Sequence, residues 1–216
     1  IQTNAGGQGI AITLRFSRGP EHNHPLMAIW LEDTSGRYIE TLYVAESIGK
    51  GIFLHGDKSK GMWQAGEIRR PAALPYWGHK RGIQAEDGYY LPTTRNPMPD
   101  AVTGATPGGN FIMESKASAE LPEVFFVMME INQTWDWNEY WTNSKYPEDP
   151  EYKTSCQPAV VYAARIDPGS EEGTYRMKAI GHSHYSGKDG SLTTDLSPLS
   201  TALDIVGSAE VTIAGK

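Results

Sequence analysis

The sequence predicts an all-β fold, a sandwich of about eight strands joined by long loops. Three observations carry this. Short apolar runs either alternate with a period of two or are apolar throughout. They are spaced and punctuated by Gly and Pro as in sandwiches, and no stretch sustains helical periodicity with a cap at both ends. At 216 residues the chain is long for an average domain, but sandwiches of this length form single units, so one domain over 1–216 is expected.

The first nine residues, Ile1 to Gly9, are rich in Asn, Gly and Gln and carry no signal-peptide pattern. They read as a flexible lead-in left after processing or trimming. Ile10 to Ser17 alternates, placing Ile10, Ile12, Leu14 and Phe16 on one face of a first strand. Leu26 to Glu32 and Arg37 to Val44 follow as a hairpin, joined by Asp33-Thr34-Ser35-Gly36, residue types that suit a tight turn.

The stretch 50–107 is rich in Gly, Pro, Trp and Tyr and too long for a simple loop. It is either a functional excursion or carries short strands of its own. Phe111 to Ser115 is a short strand. Glu123 to Ile131 is almost continuously apolar, as expected of a central strand covered on both faces. Ala159 to Ile166, Thr174 to Ile180 and Glu210 to Ala214 complete the set, and Ser200 to Ile205 reads as one helical turn.

Composition excludes several classes. A net charge of -7 argues against a nucleic-acid partner, which needs a basic stripe or patch, and against acidic membrane surfaces. No segment approaches the roughly 20 apolar residues of a membrane helix. Cys156 is the only cysteine, which rules out an internal disulfide framework and a Cys-rich zinc site, and it reads as a small packed residue.

Three clusters are candidates for chemistry. His22 and His24, and His182 and His184, form two His-x-His pairs. In an extended strand that spacing turns both imidazoles to one side, where they could share a divalent metal, with Asp189 or Asp195 adding carboxylate oxygens. The alternative is a set of solvent-facing loop histidines beside turns. The second cluster is Trp135-Asp136-Trp137-Asn138-Glu139-Tyr140-Trp141. Strand alternation would place Trp135, Trp137, Trp141 and Glu139 on one face, a platform that stacks on sugar rings or planar cofactors. Otherwise these side chains lid one end of the sandwich, with Asp136 and Asn138 bonded to loop backbone.

The third cluster runs from Asp100 to Thr106, Asp-Ala-Val-Thr-Gly-Ala-Thr, followed at once by Pro107. It resembles the flavinylation motif of bacterial FMN-binding proteins, in which the final threonine carries FMN through a phosphoester. That resemblance implies Thr106 as the attachment residue, with Asp100 and Gly104 as its recognised context. Read without it, the same residues make a turn.

Pro25 to Tyr43, Asp100 to Pro107, Glu130 to Tyr140, Gln157 to Asp167 and Gly181 to Ala202 together resemble a family of predicted periplasmic bacterial proteins, a domain of unknown function found near flavin-based and haem-based electron-transfer systems. The resemblance implies an immunoglobulin-like sandwich, periplasmic or secreted, soluble or lipid-anchored, with a periplasmic redox partner and no established activity.

The leading expectation is therefore an exported, non-enzymatic binding or accessory module linked to extracytoplasmic electron transfer. A flavin-carrying redox protein with FMN on Thr106 is a second reading. A metal-dependent hydrolase using His182 and His184, with His22, His24 or Asp189 completing the shell, is a third. Gly-x-Ser-x-Gly is absent, so a serine hydrolase is not expected.

Overall fold

In the computed structural model, which describes residues 1–57, 59–170 and 173–214, the alternating segments become strands of two facing sheets. In chain order the elements are β1 (Ala11–Arg18), β2 (Leu26–Asp33), β3 (Tyr38–Ala45), α1 (Glu46–Lys50), β4 (Ile52–Asp57), β5 (Gln64–Glu67) and α2 (Pro75–Arg81). They continue as β6 (Thr103–Gly104), β7 (Phe111–Lys116), β8 (Phe125–Asn132), α3 (Tyr152–Ser155), β9 (Val160–Ile166), β10 (Tyr175–Arg176), β11 (Lys178–Ser183), β12 (Leu192–Thr193) and β13 (Val206–Ile213). Single 3₁₀ turns occupy Asp100–Val102 and Thr201–Asp204.

One sheet has the order β10-β13-β1-β7 and the other β12-β11-β9-β8-β2-β3-β6, and β3–β6 is a parallel pair at the edge of the larger sheet. The two pack as an all-β sandwich. Ile12, Leu14 and Phe16 of β1 face Met27, Ile29 and Leu31 of β2 and Val127, Met129 and Ile131 of β8 across one buried core. The period of two is the reason: every second residue points inward.

The residues between them point outward, yet they are also apolar. Leu26, Ala28 and Trp30 of β2, Met128 of β8 and Val161 of β9 meet Leu74, Tyr76 and Trp77 of the long excursion in a second core. The excursion is therefore a third layer on the larger sheet, which explains why β8 lacks alternation. Trp30 and Trp77 are both fully buried there, each burial stabilising by on the order of 3 kcal/mol.

Sequence periodicity missed this layer because its elements are short. The β4–β5 hairpin is short and half-exposed, with Ile52 and Leu54 of β4 facing outward. Helix α2 has Pro75 in its first turn, basic residues in its last and Gly82 at φ +71° closing it, signals that suit a helix but span only seven residues. Polar bonds fix α2 on the sheet. Glu130 accepts the backbone N–H groups of Tyr76 (3.2 Å) and Trp77 (2.8 Å), and the Trp77 indole donates to Thr41 (2.9 Å). Lys80 donates to Glu32, which also accepts the Trp30 indole.

Two further expectations change. Thr174 to Ile180 is not one strand: β10 joins the smaller sheet and β11 the larger, so the chain switches layers near Met177. The first residues are tied down: Thr3 donates to Glu114, Asn4 donates to Ala101, and Thr3 is buried. Short apolar content hid this edge pairing.

Candidate functional site

Strand register defines one end of the sandwich. Leu26 pairs with Asn132, Ile131 with Val160, Val160 with His182, His182 with Thr193, and Ala45 with Gly104. The loops that leave these positions, 19–25, 105–110, 133–159 and 184–191, therefore emerge at the same end. All three candidate clusters lie there.

The tryptophan segment is a turn-rich loop, so strand alternation does not apply to it. Asn138 sets its path: its Oδ1 accepts the N–H groups of Tyr140 and Trp141, and its Nδ2 donates to Pro198 and Ser200. This reversal sends Trp141 inward, contrary to the single-face expectation. Trp141 is 5% exposed and packs with Tyr152 and Tyr185, while Tyr146 stacks on Tyr185 at 4.1 Å. Glu139 is exposed and is not part of the lining of the cleft at the indoles.

Trp135 and Trp137 do share a site. They are 67% and 58% exposed and flank a cleft of about 380 Å³ with Asn143, Ser144, Pro147, Lys153 and Cys156. The loop is held from below: Trp135 donates to Thr154, Asp136 to Ser155, and Gln157 to Asp136. Ser155 donates to Asn132 at the end of β8, anchoring the floor to the sheet.

Two lining residues occupy the left-handed backbone region, Trp135 at φ +57° and Cys156 at φ +66°. For residues with a Cβ this conformation costs on the order of 1–2 kcal/mol, and such strain clusters at functional sites. Here it turns the Trp135 indole outward while Cys156 stays buried in the floor. Burial pushes the Cys156 thiol up, so it is a packed, protonated group as the sequence indicated. Burial likewise raises the Asp136 carboxyl, against a hydrogen bond from Thr201.

The histidines are near one another in topology but do not form a shell. His22 is buried, its ring tilted on Phe16, and its Nε2 donates to the Pro107 carbonyl. His24 is exposed and bonded to Asn23. His182 donates from Nδ1 to Ser183 and meets Trp141 edge-on. Strand β11 ends at Ser183, so His184 lies beyond the alternation and instead stacks on Tyr185, its Nδ1 accepting from Ser186. Asp189 accepts the N–H of Ser191, and its carboxyl is lowered by the Ser191 hydroxyl first and by this N–H second. Among the described residues no group of three or more His, Cys, Asp or Glu side chains is arranged to hold a metal ion. Each of the four rings spends one nitrogen on a local hydrogen bond, to a backbone group for His22, His182 and His184 and to the Asn23 side chain for His24.

The Asp100 to Thr106 segment lies on the edge of the larger sheet. Lys50 pairs with Asp100, Thr103 and Gly104 pair with β3, and the Tyr43 hydroxyl donates to the carbonyls of Gly104 and Ala105. Thr106 follows, half-buried, where the chain begins its crossing to β7. The segment is thus more than a generic turn: it is clamped on one side up to the residue before Thr106.

Sequence reading missed Asn143, Ser144, Pro147 and Lys153, which reach the cleft from irregular loop without periodic signal. The fold and cleft together define an all-β sandwich that carries an aromatic-walled cleft on its loop-bearing end. No family model, curated protein or solved structure matches the chain.

Proposed function

We propose that the protein is an exported binding or accessory module of extracytoplasmic electron transfer, whose Trp135–Trp137 cleft takes a planar ring ligand bearing an anionic group. The observation that supports this best is the pair of exposed indoles around a cleft whose wall and floor contain Trp135 and Cys156, two of the four non-glycine residues at positive φ among the described residues. Indole faces stack on flat rings, and Lys153 supplies a cation for an acidic substituent. A volume of about 380 Å³ is within the range of small-molecule sites. The immunoglobulin-like grouping and the export implied by the family resemblance belong to this same reading.

Free FMN is a suitable probe, because it combines a planar ring with a phosphate. Calorimetric titration is expected to give saturable binding that Trp135→Ala/Trp137→Ala abolishes and that weakens with riboflavin, which lacks the phosphate. Equal binding by wild type and the double variant would refute the reading.

A second reading, covalent FMN on Thr106, is favoured by the clamped Asp100 to Ala105 segment, which fixes the backbone immediately before this residue at the sheet edge. Co-expression with a flavin transferase is then expected to yield yellow protein whose mass rises by FMN less one water, with Thr106→Ala colourless. Unmodified mass after co-expression counts against it. The metal-hydrolase reading has no comparable support.

A further inference from the structure

A second cavity, of about 510 Å³, lies apart from the tryptophan cleft, between the β4–β5 hairpin and the loop that follows α2. Its wall includes three arginines, Arg69, Arg81 and Arg95, and three carboxylates, Glu67, Glu86 and Asp87. Arg69 is bound to Asp87 (2.6 Å) and to the carbonyls of Leu91 and Pro92. Arg95 faces Glu86 at the exposed rim, and Glu67 accepts the Thr94 hydroxyl. Every one of these carboxylates is engaged.

Arg81 is the exception. Its guanidinium lies over the Trp77 ring at 5.0 Å, its Nη1 is buried with no hydrogen-bond partner, and it joins no ion pair among the described residues. The neighbouring Lys80 shows what a matched cation looks like here, since it is paired with Glu32 and the Gly36 carbonyl. Arg81 as a whole is only partly buried, so its guanidinium nitrogens other than Nη1 keep access to solvent with no hydrogen-bond partner among the described residues, and a planar fork of N–H donors free in this way is suited to a carboxylate or phosphate. Leu91, Pro92 and Ile83 give the same cavity an apolar wall for the body of such a molecule.

We infer that this cavity is a binding site for a small organic oxyanion, a carboxylate or phosphate ester, with Arg81 as the anion-holding residue. The site is independent of the Trp135–Trp137 cleft, and neither reading requires the other.

The probes are inorganic phosphate and citrate, titrated at millimolar concentration with ionic strength held constant by chloride. Calorimetry is expected to show saturable binding of at least one of them, and the tighter one assigns the site to phosphate or to carboxylate chemistry. The Arg81 Nε–H resonance is expected to shift along the same isotherm. Arg81→Gln is expected to weaken binding at least tenfold while unfolding as cooperatively as wild type. If that variant does not fold, Arg81→Lys, which keeps the charge and loses the fork, is expected to weaken binding by a similar factor. Absence of saturable heat with both anions, an unmoved Arg81 resonance, or unchanged affinity in a folded Arg81 variant would each overturn the inference.

Discussion

Glu130 offers the sharpest test of how the third layer is attached. Its side chain is wholly buried beneath α2, and burial pushes its carboxyl up from 4.5 to about 8 despite two backbone N–H donors. The folded protein therefore holds a proton that the unfolded chain releases above about pH 4.5. Stability from this group is fully present below the unfolded value and is lost as pH rises through about 8. Each unit in that window costs up to about 1.4 kcal/mol, flattening as the folded value is reached, so between pH 6 and 8 the loss is about 2 kcal/mol.

The assay is urea unfolding followed by circular dichroism at pH 6, 7 and 8 for wild type and Glu130→Gln. The variant cannot ionise, so the difference between the two curves isolates Glu130 from every other titrating group. Wild type is expected to lose about 2 kcal/mol relative to the variant across this range. Parallel profiles would refute the reasoning. A relative gain by wild type at high pH would show that the N–H groups of Tyr76 and Trp77 outweigh desolvation and keep a carboxylate charged.

Three further outcomes follow from the loop-bearing end. Trp141→Ala is expected to destabilise by about 3–5 kcal/mol, read from the urea midpoint, because it empties the pocket against Tyr152 and Tyr185. At Trp135, Gly is expected to be more stable than Ala by about 1 kcal/mol, since only glycine adopts the left-handed backbone without cost, while both variants lose FMN binding. Cys156 is expected to resist thiol reagents in the native protein and to react at the unfolding rate in urea, as its burial and raised pKa dictate.

Sandwich strands were legible because they bury one face or both. Alternation in Ile10 to Ser17 and the apolar run around Val127 each translated directly into strands with displaced ends. The excursion was legible only as an anomaly. Helix α2 is too short for periodicity, and Glu130, which anchors it, looks in sequence like a strand residue facing water. At the site, the composition of Trp135 to Trp141 pointed to the right loop, but the assignment of faces failed. One asparagine, Asn138, bends the chain so that Trp141 enters the core while Trp135 and Trp137 stay outside. The histidine spacing was uninformative for a related reason: it has geometric meaning only inside a strand, β11 stops between His182 and His184, and His22 and His24 lie between β1 and β2.

The claim that the Trp135–Trp137 cleft is the ligand site is tested most directly by the indole N–H resonances of the six tryptophans during titration with FMN. Trp135 and Trp137 are expected to shift together and saturate, while the buried Trp30, Trp77 and Trp141 and the exposed Trp63 stay in place. Six unmoved resonances, or a shift of Trp63 equal to those of Trp135 and Trp137, would contradict it.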